Sequence, residues 1–388
     1  MSSTSVNLII IDQEYTVANH KFFWKEFAAV DGSITIVINI SADYIVSVIH
    51  HKIFRIKEAK KGATMLGKNL FLLRPLFLIR HEVLPLIALF SKFVKRYYQK
   101  RIWKSVSNIV PDIFDRKVFV LSYSSSWLYI LAGSHPQMKT AYYLYDEFRH
   151  NPDGTVHRKR TELDIKACQE AGIILAMSEK LVDNRMEFSD KIKVFGNGAS
   201  AALFRDVKSV EHISNSVGLI GNIRNWIDKE LLLSLIQENP DLTFIFAGPI
   251  EADMQSFING LSIRDNVKYL GPFKKEEVPS IYSMVDCVIV PYLQNEFIQS
   301  TRPIKIVESI FAGTPVVTIP VSGYTQSDFL RFACDPASFG AQIRYAILHP
   351  ISKDSAEYKH FISENSWEEK ALELKNIKSF LFDDTLDN

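Results

Sequence analysis

Three cysteines in 388 residues, Cys168, Cys287 and Cys334, are too few and too far apart for a disulfide framework, and no CxxC pair suggests a zinc or thiol-redox site. Such usage suits a reducing compartment, so a cytoplasmic location is expected. A surplus of charge of one sign is also missing. The 45 Lys and Arg against 44 Asp and Glu leave +1, so nucleic acid is not an expected partner unless a local basic patch supplies the attraction. No apolar run reaches the roughly 20 residues of a membrane-spanning helix. The most apolar stretch, residues 69–93, is interrupted by Arg74, Pro75, Arg80, His81, Glu82 and Pro85, and no transmembrane segment is expected. The opening MSSTSVNLIIID has no basic stretch followed by a long apolar one and reads as a buried first strand. Repeats at a solenoid period and low-complexity tracts are absent as well.

What is present is an ordinary globular composition, 47% hydrophobic and 23% charged, in a chain too long for one core. Short apolar runs alternate with stretches of helical period, the α/β pattern. In the first half the expected strands are residues 6–12, 33–40, 117–123, 140–146 and 172–178, with a helix over 82–107. In the second half they are 217–221, 242–248, 266–271, 287–291 and 315–320, with helices over 229–238, 275–285 and 303–312. Strands separated by helices rather than hairpin turns imply parallel sheets, one doubly wound sheet per half. The polar stretch 196–216 interrupts the alternation and gives units of 1–200 and 216–365, with 366–388 as a last helix and tail.

In such sheets ligands sit outside the carboxyl ends of the strands. One such end is Gly221-Asn222-Ile223-Arg224, where glycine lets backbone approach a ligand and Arg224 can fork onto a diphosphate. A tight turn with a solvent-facing arginine accounts for the same residues. The stronger signal is the run from Ser300 to Val317. Pro303 suits a first helical turn and Gly313 a C-terminal cap, so Ser300, Thr301, Arg302 and Lys305 cluster at a helix N-terminus, whose N–H groups and dipole attract anions. Glu308 lies one turn beyond Lys305, where a carboxylate can take both hydroxyls of a ribose. A surface ion pair between Lys305 and Glu308 is the competing account.

Together, GLIGNIRNWIDKELLLSLIQENPDLTFIFAGPI, NVKYLGPFKKEEVPSIYSMVDCVIVPY and STRPIKIVESIFAGTPVVTIP resemble the donor domain of the retaining glycosyltransferases of family four, especially the bacterial teichuronic-acid and exopolysaccharide types. YYLYDEF (142–148), Ser178 to Leu181 and Gly196-Asn197-Gly198 add to the likeness, which covers residues 140–385 well and the first 140 in outline. It implies a GT-B architecture: two Rossmann-like, doubly wound parallel-sheet domains facing a cleft, with the last helix packing back on the first domain. It further implies that Glu308 binds ribose, that Ser300 to Lys305 face the diphosphate and sugar, and that the Gly271-Pro272-Phe273 loop lies against the base. The donor would be a UDP-, GDP- or dTDP-linked sugar, with no cofactor. Many members carry a second glutamate eight residues before the ribose-binding one. Here that place is Ser300, which supplies no carboxylate.

The first half would then hold a glycan or lipid-linked acceptor. Asp146 and Glu147 end a strand where a carboxylate can orient or deprotonate a hydroxyl, or equally serve as a helix cap or loop acid. His20, His50, His51 and His150 are lesser candidates. Six cations and several aromatics in Lys92 to Lys104 suit either peripheral contact with the inner membrane or a solvated helix with its rings in the core. The reaction expected is glycosyl transfer in surface polysaccharide synthesis, with Lys305, Arg302 and Arg224 stabilising the leaving diphosphate and no metal ligands required. Retention is favoured, and inversion would need Asp146 or Glu147 as base. A nucleotide-sugar epimerase or hydrolase, and a catalytically silent binding protein, are the alternatives.

Overall fold

Strand β1 (Val6–Ile11) is buried along its whole length and its side chains divide between two layers. Leu8 and Ile10 enter one apolar cluster while Ile9 and Ile11 enter another, because alternate side chains leave a strand on opposite faces. A strand apolar on both faces belongs inside a sheet covered by helices on each side. That is the arrangement in this computed structural model, which describes residues 5–12, 20–49, 53–60, 62–79, 84, 91–151, 155–205 and 210–383.

The first sheet adds β2 (Ile34–Asn39), β3 (Thr64–Met65), β4 (Leu70–Leu73), β5 (Val118–Ser122), β6 (Met138–Leu144), β7 (Ile173–Ala176) and β8 (Ile192–Val194), in the order β3-β4-β2-β1-β5-β6-β7-β8. The second contains β9 (Ile213–Ile220), β10 (Thr243–Ala247), β11 (Val267–Tyr269), β12 (Val285–Val290), β13 (Val316–Thr318) and β14 (Leu330–Phe332), in the order β11-β10-β9-β12-β13-β14. In the second sheet the chain steps outward from β9 on one side, then crosses back and steps outward on the other, and the first sheet does the same from β1 except that β3 lies outside β4. The points of reversal lie between β1 and β5 and between β9 and β12.

Two features depart from the sequence expectation. The pairing of β3 with β4 is antiparallel, so one hairpin interrupts the otherwise parallel pattern. Residues 70–73 of the most membrane-like stretch form β4, because a buried parallel strand has the same unbroken apolarity as a piece of membrane helix. The expected helix over 82–107 is described only as Lys92–Ser107, the residues before Ser91 other than Leu84 lying outside the described set.

Two chain crossings join the domains side by side. The amide of Ala199 donates to the Asn365 carbonyl at 2.9 Å, and that of Trp367 donates to the Ala199 carbonyl at 2.9 Å. The helix Ala201–Arg205 places Phe204 in the core of the second domain, whereas the helix Trp367–Leu381 returns to the first. Trp367, Ala371, Leu374 and Ile377 share a cluster with Trp24 and Phe27. Lys378, itself buried, is held by Asp31 at 2.7 Å and Ser33 at 3.2 Å. Among the described residues no helix is long and apolar enough to cross a membrane.

Candidate active site

The carboxyl ends of the two sheets face one another. Lys21, opening the helix Lys21–Asp31 after β1, pairs with Glu276 beyond β11 at 3.2 Å. The Ser178 hydroxyl, beyond β7, donates to the Ser300 carbonyl at 2.7 Å. The two topological reversal points, where α/β sheets bind ligands, therefore open toward a shared cleft.

On the second domain the β9 and β10 ends are turns at Gly221 (φ 105°) and Gly248 (φ 130°). A side chain on Gly248 would overlap the Gly221 carbonyl oxygen, so the turns nest only without a Cβ. Facing Gly221 is Lys305, whose Nζ would lie 3.3 Å from a Cβ there. The lysine occupies the first turn of the helix Ile304–Ala312, capped by Pro303 and ended by Gly313 at φ 89°. Its ammonium lies 5.1 Å from the centre of the Tyr292 ring, at the end of β12, and no carboxylate of the described residues pairs with it. A partly buried cation at a helix N-terminus, where the first N–H groups lack the usual intrahelical partners, is an anion site.

Glu308, one turn further along, is buried and pairs with Lys275 rather than Lys305. Lys275 follows the Gly271-Pro272-Phe273 turn, and Phe273 packs half-buried on the core. The loop expected to lie against a base and the glutamate expected to bind ribose are thus brought together. The basic doublet of LGPFKK was the signal from which Lys275 could have been found. Arg224 stacks on Trp226, 4.9 Å from the ring centre, and forms an ion pair with Glu251 at 2.8 Å.

The other members of the Ser300 to Lys305 run turn away from the anion site. The Ser300 hydroxyl donates to the Glu296 carbonyl at 2.9 Å and that of Thr301 to the Ile298 carbonyl at 2.7 Å, closing the short helix Glu296–Gln299. Arg302 reaches the domain crossings. Its guanidinium lies where a side chain on Gly196 would have to go, donates to Asn365 Oδ1 at 3.1 Å and stacks on Tyr324. Neighbours in sequence around a helix start point in different directions, and only Lys305 points to the β9–β12 reversal.

Across the cleft, Asp146 and Glu147 follow β6 but their environments differ. Burial pushes the Asp146 carboxyl up to about 6, with the Glu147 amide donating to its Oδ1 at 2.9 Å. Glu147 is buried with both oxygens committed: Arg185 donates to each at 3.2 Å, Asn184 to Oε2 at 3.0 Å, and the Arg149 amide to Oε1 at 2.8 Å. Burial acts to raise its pKa, but the charge and hydrogen bonds of Arg185 prevail and hold it below the usual value. Arg185 and Arg149 also share Asp164, at 3.0 and 2.8 Å. The structure therefore corrects the expectation for Glu147, which anchors a buried ion network and has no free lone pair for an acceptor.

His20 occupies the position before the helix Lys21–Asp31 without a side-chain hydrogen bond to it, ringed by Trp24, Tyr123, Tyr143 and Trp367. Burial, aided by the charge of Lys275, pulls its pKa down to about 3, so it is neutral. His150 lies 3.7 Å from Glu147, while His50 and His51 lie outside the described residues.

Residues 187–348 match the family model described as glycosyl transferases group 1. Over its full length the backbone follows that of a glycosyltransferase from Rickettsia africae ESF-5, with a TM-score of 0.67 over 99% of this chain and 100% of that one at 13% identity. The chain has the GT-B fold, and its residues 187–348 are similar to the group 1 glycosyl transferases. The GT-B frame also matches Alr3699/HepE of Anabaena, a structure in complex with UDP and glucose, with a TM-score of 0.61 over 97% of this chain and 100% of that one at 14% identity. In sequence, 165 residues of the chain are similar to TuaH of Bacillus subtilis (strain 168), named for a glycosyltransferase role in teichuronic acid biosynthesis, at 28% identity over 40% of this chain. The chain is also similar to the 2-deoxystreptamine glucosyltransferase of Streptomyces kanamyceticus, at 27% over 28% of this chain. The chain spans 42% and 27% of the lengths of these two curated relatives.

Proposed function

We propose that this GT-B protein transfers a glycosyl group from a nucleotide diphosphate sugar to a hydroxyl of a glycan or lipid-linked glycan acceptor in bacterial surface polysaccharide synthesis. The observation that carries the reading is Lys305, a cation with no carboxylate partner among the described residues, at a helix N-terminus and facing Gly221 at the β9–β12 reversal. A diphosphate there is neutralised by the lysine and the helix dipole as it departs, which supplies charge stabilisation without a dedicated metal. Glu308, released from Lys275, receives the ribose hydroxyls, and the turn carrying Phe273 receives the base. Arg224 remains a diphosphate contact once it leaves Glu251.

Retention is the favoured stereochemistry: the acceptor hydroxyl attacks from the face of the leaving diphosphate, whose oxygen takes the proton. Asp146, with its pKa raised to about 6, orients that hydroxyl, and in an inverting reaction it would take the proton itself. The protein is expected to work at the inner face of the membrane.

A thermal-shift series with UDP-, GDP- and dTDP-sugars tests the donor. A ligand at a hundred times its Kd stabilises the native state by about 2.7 kcal/mol, so one nucleotide should raise Tm clearly above the others. The anomeric configuration of the product, read by NMR, then decides between retention and inversion. No shift with any of the three, together with no release of nucleotide from the sugars, refutes the reading.

A further inference from the structure

The helix Lys92–Ser107 contains no acidic residue and six Lys or Arg, in a chain whose formal net charge is only +1. Its inward face, Tyr98, Ile102, Trp103 and Val106, is buried in the cluster beneath β1, β2 and β5. The outward face is exposed at Lys92, Phe93, Arg96, Tyr97, Lys100, Arg101 and Lys104. Spacings of four, three and four align Phe93, Tyr97, Lys100 and Lys104 in one stripe. Phe93 is 81% exposed, an unusual position for a phenylalanine on a helix that already has a buried apolar face.

Hydrogen bonds extend the stripe onto neighbouring loops. The Leu78 amide donates to the Tyr97 hydroxyl at 2.9 Å, and Arg101 donates to the Leu76 carbonyl at 2.6 Å. The amides of Tyr44 and Ile45 donate to the carbonyls of Phe77 and Leu78 at 2.9 and 3.1 Å. Tyr44 and Leu78 are 51% and 58% exposed. One continuous surface therefore carries Tyr44, Ile45, Leu78, Phe93 and Tyr97, bordered by five exposed cations.

Exposed apolar groups gathered in this way mark an interaction surface. A phosphate backbone or an acidic polymer would use the cations but gain nothing from Leu78, Ile45 or Phe93. An anionic bilayer uses both: headgroups attract the cations and the acyl boundary accepts the apolar side chains. We propose that this surface seats the protein on an anionic lipid bilayer, with Phe93 and Leu78 inserted and Arg96, Lys100 and Lys104 on the headgroups. Tyr44 and Leu78 follow the carboxyl ends of β2 and β4, the end of the first sheet that faces the second domain. The bilayer then lies beside the mouth of the cleft. The proposal rests on the reading that the protein works at the membrane, but its test needs no donor and so can fail while the transferase reading holds.

The experiment is co-sedimentation of the full chain with vesicles of phosphatidylcholine alone and of phosphatidylcholine mixed three to one with phosphatidylglycerol. Binding should require phosphatidylglycerol and weaken as salt shortens the screening length. The exposed double variant Arg96→Glu/Lys100→Glu should abolish it. Phe93→Ser/Leu78→Ser, which keeps every charge, should reduce it about tenfold, the effect expected when inserted apolar groups are lost. Far-ultraviolet circular dichroism and Tm identify variants that remain folded. Absent or equal binding to the two vesicle types overturns the proposal. Full binding by Phe93→Ser/Leu78→Ser also does so, in favour of a surface for acidic polymers.

Discussion

Replacing Lys305 by methionine separates chemistry from folding at the candidate site. The stem is kept, and the only interaction lost among the described residues is the ammonium above the Tyr292 ring at 5.1 Å. An exposed contact of that kind contributes about 0.5–1 kcal/mol, and 1 kcal/mol shifts Tm by about 2–4 °C in domains of 150–250 residues. The melting temperature should therefore fall by no more than about 4 °C. Turnover should fall far more. A fixed donor aimed at charge that develops in the transition state is typically worth about 10²- to 10³-fold in rate, and among the described residues no second lysine faces Gly221 to replace it. The assay is nucleotide release and product formation with the donor found by thermal shift, run beside a melt of the same preparation. Turnover within a few-fold of the parent would refute the phosphate role of Lys305. So would a fall in stability large enough to explain the lost activity.

Three further outcomes follow from the same geometry. Glu308→Ala frees Lys275 and removes a charge-assisted hydrogen bond of about 1.5–3 kcal/mol to a ribose, so titration calorimetry should show weaker nucleotide binding; unchanged affinity would remove the ribose role. Glu147→Gln leaves Arg185 buried with half its charge compensation, and breaking such a pair costs about 3–5 kcal/mol, to be read as a lower denaturant midpoint with donor affinity retained in the folded protein. Asp146 has a native pKa of about 6, raised by burial, so the stability held by its neutral form is fully present below its unfolded value and lost as pH rises through about 6. Asp146→Asn should therefore gain on the parent between those values in melts. If Asp146 orients the acceptor as a carboxylate, kcat/KM of the parent rises through the same pH range and that of Asp146→Asn is flat; parallel profiles would leave it a structural acid.

The alternation of strands and helices and the apolar runs were legible because secondary structure follows from local periodicity. Glycines at strand ends and the Pro303 to Gly313 helix could likewise be read directly, since both depend on backbone conformation at single residues. The likeness of residues 140–385 to family-four glycosyltransferases supplied the GT-B frame on which the sheets are now seen. What the linear chain left open was direction. Ser300, Thr301, Arg302 and Lys305 are consecutive or nearly so, yet the hydroxyls close a preceding helix, the arginine reaches the domain crossings, and only the lysine faces the reversal point. Asp146 and Glu147 are adjacent, but Arg185, some 38 residues further on, commits one and leaves the other. Lys275 and Glu308 are paired across 33 residues. A side chain's orientation and a carboxylate's charge depend on partners that only tertiary packing brings near, because burial and Coulomb energy fall off with distance in space rather than along the chain.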